Sequence, residues 1–177
     1  NKRIPRSEII IYEKILLQYA NKIDLNIKLS INGSYRREQE TSGDIDVLIT
    51  GDTDVSKLRM KFIDYLKQQN IIVETLANGK KKFMGIIKLP GFSTFRHIDI
   101  IETTRESFPF GILYFTGSGG FNTKMRQEAL NLGYSLNEYG FTYKTTKKPI
   151  IESDIIHKIG KSSFTSEQDI FKFLNME

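Results

Sequence analysis

Two aspartates one residue apart stand at the head of an apolar run, Gly43-Asp44-Ile45-Asp46-Val47-Leu48. On an extended strand side chains alternate faces, so both carboxylates point one way while Ile45 and Val47 point into a core. Carboxylates fixed side by side repel each other. A hard divalent cation with oxygen ligands, such as magnesium, relieves that repulsion. Asp99 is the acid of a second apolar run, Phe95-Arg96-His97-Ile98-Asp99-Ile100-Ile101. If the two strands are neighbours, Asp99 joins the pair. Three such acids can hold two ions about 3.5–4 Å apart, an arrangement suited to in-line phosphoryl chemistry. Taken singly, an Asp-x-Asp pair is often a solvated turn, and a lone strand aspartate is an edge residue. The pattern gains meaning from the turn at Gly33-Ser34 and from Arg37. Glycine lets backbone approach a phosphate, the serine hydroxyl and free N–H groups donate to it, and arginine can pair with its oxygens bidentately.

Several elements must position these groups. Pro5 followed by Ile9, Tyr12, Leu16 and Tyr19 predicts an amphipathic helix over residues 6–22. Alternation at Ile27, Leu29 and Ile31 predicts a strand that ends in the Asn32-Gly33-Ser34 turn, and a polar stretch from Tyr35 to Gly43 follows. Ile45–Thr50 reads as a buried strand, and Val55, Leu58, Phe62 and Leu66 as a helix. Asn78-Gly79 between Ile71–Leu76 and Phe83–Leu89 signals a hairpin, and a strand over Phe95–Ile101 comes next. From about Glu106 the pattern changes. A Gly-rich segment, Thr116-Gly117-Ser118-Gly119-Gly120, separates two helices, the second expected over Phe121–Leu132. Short strands and loops lead to a last helix near Thr165, where Thr165 and Gln168 have capping-box spacing.

Composition sets the outer bounds. The chain has 177 residues, two histidines and no cysteine, which excludes disulfides, cysteine-ligated zinc and a thiol nucleophile. A formal charge of +5 permits a polyanionic partner without demanding one. No apolar run approaches the roughly 18–20 residues of a membrane span, and no secretory leader is visible. An intracellular protein is therefore expected, nuclear if the cell is eukaryotic. The abrupt start at Asn1 is read as that of a fragment.

Gly33-Ser34-Tyr35-Arg36-Arg37 with Ser42-Gly43-Asp44-Ile45-Asp46-Val47-Leu48 resembles the nucleotidyltransferase signature. More narrowly, the chain resembles the family X DNA polymerases, the group of DNA polymerase beta. Lys2-Arg3-Ile4-Pro5-Arg6 resembles the opening of that family's palm. Leu113-Tyr114-Phe115-Thr116-Gly117-Ser118 with Phe121, Asn122, Met125 and Arg126 resembles its nucleotide-binding thumb motif, and Ser166–Phe171 its closing helix. The resemblance implies an α+β fold. A nucleotidyltransferase palm with a mixed β-sheet flanked by helices would occupy residues 1–105, and a small α/β thumb residues 106–177. The family's lyase and helix-hairpin-helix regions are expected to be absent. It also implies catalytic and metal-ligating roles for Asp44, Asp46 and Asp99 with two Mg2+ ions, for which Mn2+ can substitute. Gly33, Ser34, Arg37, Gly43 and Arg3 would contact the triphosphate. Tyr114, Phe115 and Gly117 would lie against the sugar, Asn122 at the incoming base and Arg126 at the template. The implied partners are gapped or primer-template DNA and deoxynucleoside triphosphates, the implied role gap-filling repair, and the expected state a monomer.

Two positions depart from that pattern. His97 stands where an arginine is usual, with Arg96 beside it expected to face the other side of the strand. Gly119 stands where a side chain would lie over the base, which implies looser base discrimination. Lys80–Lys82 and Lys144–Lys148 are basic runs able to track phosphates, although such runs are usually solvated loops. Two other readings stay open: template-independent nucleotidyl transfer, and a non-catalytic module that binds nucleic-acid ends.

Overall fold

The computed structural model describes residues 3–177. Lys2 of the basic opening segment lies outside the described residues. The chain divides into two compact units, Asn1–Arg105 and Glu106–Glu177.

In the first unit the elements run β1 (Ile4–Pro5), α1 (Arg6–Ile23), β2 (Lys28–Ile31), α2 (Gly33–Arg36), β3 (Thr41–Ser42), β4 (Ile45–Thr50), α3 (Val55–Gln68), β5 (Ile72–Asn78), β6 (Lys82–Ile87) and β7 (Arg96–Glu102). Five strands form a mixed sheet in the order β2-β4-β7-β6-β5, with β4 and β7 parallel and the other neighbours antiparallel. The α+β class expected from the sequence is the class the chain adopts. A parallel neighbour needs a crossover, and α3 supplies it between β4 and β7. Ile45, Val47, Ile49, Ile98 and Ile100 point to one face of the sheet. There they pack with Ile9, Tyr12 and Leu16 of α1 and with Leu58, Phe62 and Leu66 of α3. The helical spacing of those six side chains was the signal for both helices. Asp54 caps α3, its carboxylate accepting from the N–H groups of Ser56 and Lys57.

Two buried ion pairs brace this unit. Arg96 donates from Nε and Nη2 to Glu8 Oε2 and Oε1 at 2.7 and 2.9 Å, joining β7 to α1. Arg59 Nε donates to Glu102 Oε1 at 2.6 Å. The same guanidinium donates to Asn78 Oδ1, the Gly79 carbonyl and the Lys80 carbonyl, which fixes the β5–β6 turn against α3.

The stretch from Tyr35 to Gly43 is more ordered than its polar composition predicts. It takes in the end of the helical turn α2 and the strand β3, which pairs with β1. Tyr35 drives this. It is buried, its hydroxyl donates to Glu13 Oε1 at 3.0 Å, and the Arg6 guanidinium sits 4.4 Å from its ring centroid.

The second unit comprises α4 (Phe108–Thr116), α5 (Gly119–Asn131), β8 (Tyr134–Leu136), β9 (Phe141–Tyr143), α6 (Glu152–Ile159) and α7 (Glu167–Phe173). Its core combines aliphatic side chains such as Leu113, Ile159 and Ile170 with a chain of ring contacts among Phe110, Phe141, Phe164 and Phe173. Three expectations are corrected here. Helix α5 starts at Gly119 rather than Phe121, because Ser118 caps it and accepts from the Phe121 N–H. Helix α6 lies where only strands and loops were expected; it has eight residues, too few for its period to stand out. The cap of α7 is Ser166, which accepts from the Asp169 N–H, and Asp169 in turn accepts from the Thr165 N–H and from Lys161. The capping box is thus shifted one residue from Thr165 and Gln168.

Removing one partner of a buried ion pair strands the other charge. Glu8→Ala should therefore destabilise the protein by about 3–5 kcal/mol in chemical denaturation, and Glu8→Met combined with Arg96→Met should recover most of that loss. A double variant as unstable as the single one would contradict this.

Candidate active site

Parallel pairing of β4 with β7 sets Asp46 directly beside Asp99. Asp44 precedes β4 by one residue. One carboxylate oxygen from each of Asp44, Asp46 and Asp99 lies within 4.8 Å of the others. Asp44 is exposed and the other two are half-buried. The triad occupies the sheet face opposite α1 and α3, since Ile45, Val47, Ile98 and Ile100 take the packed face.

Charge at this point is poorly balanced. Burial, then the charges of Asp44 and Asp99, push the Asp46 carboxyl from 3.8 up to about 6. Lys82 opposes the shift, and a hydrogen bond with Asp99 favours the protonated form. Lys82 Nζ sits 3.6 Å from Asp99 Oδ2. One lysine cannot neutralise three acids. An all-oxygen donor set with surplus negative charge, held by a rigid strand pair, fits a hard divalent cation.

Of the other sequence-predicted residues of the first unit, Gly33 lies against Asp46, and Arg3 lies against Gly43. Gly33 adopts φ +64, and a Cβ there would approach Asp46 Oδ2 to 3.1 Å, so conformation and space both favour glycine. The Asn32 N–H donates to the Asp46 carbonyl at 2.8 Å, tying the start of α2 to β4. Ser34 Oγ donates to Ser42 Oγ at 2.7 Å. Arg37 closes α2, its backbone N–H donating to the Gly33 carbonyl, and its side chain is exposed. Arg3 donates from Nε to Thr41 Oγ1 and from Nη2 to the Thr41 carbonyl, at 3.3 and 3.2 Å. This brings Nη1 to 3.2 Å from where a Cβ on Gly43 would lie. His97 is exposed and shares the face of Asp99, whereas Arg96 points the opposite way into its pair with Glu8. Arg96 therefore cannot take the place of an arginine at position 97.

The remaining predicted residues lie in the second unit. Tyr114 and Phe115 end α4 half-buried, edge to face at 5.0 Å, rather than in the core that Phe110 and Leu113 enter. Gly117 closes that helix at φ +70 and ψ −153, and the Gly117–Ser118 peptide is cis. Asn122 Nδ2 donates to the Tyr114 carbonyl at 2.8 Å, and its Oδ1 is buried with no hydrogen-bond partner among the described residues. The Arg126 guanidinium stands 5.1 Å from the Tyr114 ring centroid. Tyr114, Asn122 and Arg126 line one hollow with Leu113, Met125 and Asn137. A Cβ on Gly119 would meet nothing within 4 Å.

Sequence reasoning missed Lys82 as part of the site. In the sequence it belongs to the basic run Lys80–Lys82, which suggests phosphate contacts rather than a place beside the acids. Its parity against buried Phe83 was the available signal, since it places Lys82 on the face away from the core.

A carboxyl raised on folding contributes stability that is full below about pH 4 and lost as the pH rises through about 6. In metal-free buffer Asp46→Asn should therefore stabilise the protein at pH 7.5, on the order of 2 kcal/mol after allowing for partial solvent exposure, and by only about a third of that at pH 4.5. Thermal melts of both proteins at the two pH values test this, and an unchanged or lower Tm at pH 7.5 would contradict it.

Comparison with known proteins agrees with this geometry. Residues 3–105 match the family model described as the DNA polymerase beta palm, and residues 111–177 match that of the DNA polymerase beta thumb. DNA polymerase lambda of Rattus norvegicus is 31% identical over 98% of this chain and 31% of its own length. DNA polymerase lambda of Arabidopsis thaliana is 29% identical over 78% of this chain and 28% of its own. The DNA polymerase/3'-5' exonuclease PolX of Bacillus subtilis (strain 168) is 34% identical over 64% of this chain and 19% of its own. The chain thus spans less than a third of each of these relatives. It belongs to the family X DNA polymerases and carries their palm and thumb portions.

Proposed function

We propose that this chain is the catalytic portion of a DNA-directed DNA polymerase that fills gaps in DNA repair. The observation that carries the reading is the convergence of Asp44, Asp46 and Asp99 within 4.8 Å beside Gly33 and Arg3. In the reaction a bond forms between the primer 3′-oxygen and the α-phosphorus of a deoxynucleoside triphosphate. The bond from that phosphorus to its bridging oxygen breaks, and pyrophosphate leaves. Asp44, Asp46 and Asp99 would hold two divalent ions, magnesium by preference and manganese as a substitute. When bound, such ions stabilise charge on the transferring phosphoryl group and lower the pKa of the attacking hydroxyl.

The chain's own groups bind and orient. Arg3, fixed by Thr41, turns Nη1 toward Gly43 beside the acids, where it would neutralise triphosphate oxygens. Ser34, held by Ser42, and Arg37 at the end of α2 would do the same from the other side of Gly33. Gly33 leaves room for phosphate against Asp46 because it has no side chain. On the thumb portion, Tyr114, Phe115 and Gly117 would bound the sugar. Asn122, with one amide hydrogen committed to the Tyr114 carbonyl, retains a second for the base, and Arg126 would reach the template. Lys80–Lys82 and Lys144–Lys148 would neutralise DNA phosphates. The enzyme so proposed works as a monomer inside the cell.

Incorporation on a one-nucleotide gap with magnesium tests the reading. The wild-type chain should extend the primer. Asp99→Ala and Asp46→Asn should each lower the rate at least about 1,000-fold, the scale expected when a preorganised charge-stabilising group is lost. Omitting the template strand should abolish extension. Extension that persists without template would move the function to template-independent transfer, and no incorporation on any DNA end would leave a binding module.

A further inference from the structure

Helix α2 is a single turn of four residues, and one turn of helix does not form by itself in water. Yet it carries Ser34 and ends at Arg37, two groups assigned above to the triphosphate. Its first end is tied to the strand of the acids, since the Asn32 N–H donates to the Asp46 carbonyl. Its last end is tied to α1 through Tyr35, the one buried residue of α2. Arg6 and Glu13 stand seven residues apart on α1, about two turns, and so share a face. They bracket the Tyr35 ring. The Arg6 guanidinium covers it at 4.4 Å from the centroid, and Arg6 Nη1 donates to the Tyr35 carbonyl at 2.6 Å. At the far end of the ring the hydroxyl donates to Glu13 Oε1 at 3.0 Å. The Arg6 backbone N–H donates to the Glu40 carbonyl at 2.9 Å, which fixes the chain after it leaves α2. Burial and the Glu13 carboxylate raise the pKa of the Tyr35 hydroxyl, so it stays a donor near neutral pH.

We propose that Arg6, Glu13 and Tyr35 are positioning residues for the triphosphate of the incoming nucleotide, and that the Tyr35–Glu13 hydrogen bond sets the place of Ser34 and Arg37. The proposal rests on the polymerase reading above and deepens it by naming the groups outside the site that set its nucleotide affinity. Gly33, at φ +64, is the pliant point between the two ties of α2. When the Tyr35 tie is weakened, α2 turns about Gly33, and Ser34 and Arg37 leave their places. The acids stay where they are, because pairing of β4 with β7 holds them without α2. Apparent affinity then falls with the fraction of molecules in which α2 is in place. The effect is selective. Nucleotide binding weakens, while metal binding and the chemical step of the bound complex persist. A residue that merely supports the fold would move all three together.

Gap-filling kinetics with magnesium and Mn2+ binding followed by electron paramagnetic resonance separate these effects. Tyr35→Phe keeps the ring under Arg6 and deletes the hydroxyl. It should raise KM for the nucleotide about 3- to 10-fold, with kcat within about twofold of wild type and Mn2+ affinity unchanged. Glu13→Ala should do the same. Glu13→Gln retains an oxygen that accepts from the hydroxyl, and should return KM to within about twofold of wild type. One contact is removed either way, so Tyr35→Phe combined with Glu13→Ala should raise KM no further than either alone. An unchanged KM in Tyr35→Phe would overturn the proposal. So would a double variant that multiplies the two single effects, or joint loss of nucleotide affinity, kcat and Mn2+ affinity. In each of those cases extension by the wild-type chain still upholds the polymerase reading. A wild-type chain that extends no DNA end would overturn both.

Discussion

Mutual repulsion among three carboxylates is the constraint to which the first unit is built. Asp44, Asp46 and Asp99 are drawn within 4.8 Å by parallel pairing of β4 and β7, and that pairing exists because α3 and the β5–β6 hairpin carry the chain from one strand to the other. The core packed beneath the sheet holds the strands against the repulsion. Ile45, Val47, Ile98 and Ile100 are fully buried, so neither strand can rotate its acids apart without exposing them. Neutral water would separate three such groups. Here they are retained at a cost in stability, a common feature of sites that bind charge.

The supporting ion pairs show the same division of labour. Arg96 and Arg59, both buried, are spent on the scaffold through Glu8 and Glu102 and leave the face of the triad to Lys82 and His97. Alternation along β7 enforces this. Adjacent basic residues at 96 and 97 are separated by the sheet itself, so two positions that look interchangeable in the sequence serve opposite faces. Arg3 illustrates the converse. It lies far in sequence from Gly43, yet pairing of β1 with β3 and two hydrogen bonds to Thr41 deliver its guanidinium to Gly43, the neighbour of Asp44.

Much of this was legible in the sequence because the signals were periodic and local. Alternation around Asp46 and Asp99 assigned their faces, and helical spacing in α1 and α3 assigned the packed side. Glycine at position 33 marked a close backbone approach, expected toward a phosphate, and in the structure the group it faces is Asp46. The parts that escaped depend on contacts between distant residues. Tyr35 organises a stretch that reads as polar loop because its partners, Arg6 and Glu13, come from α1. Helix α6 is too short for its period to be distinguished from chance. The α7 cap was displaced by one residue because Thr165, Ser166 and Asp169 can all bond backbone locally, and Lys161 decides among the alternatives by pairing with Asp169. Lys82 was hidden within a run of lysines of which it alone lies on β6.

A single structure determination with manganese bears most directly on the central claim that the triad is a divalent-cation site. Crystals grown or soaked at millimolar Mn2+ should show anomalous density between Asp44, Asp46 and Asp99, with carboxylate oxygens of all three at about 2.0–2.3 Å from the ions. Ordered carboxylates at this spacing with no anomalous density between them would contradict it.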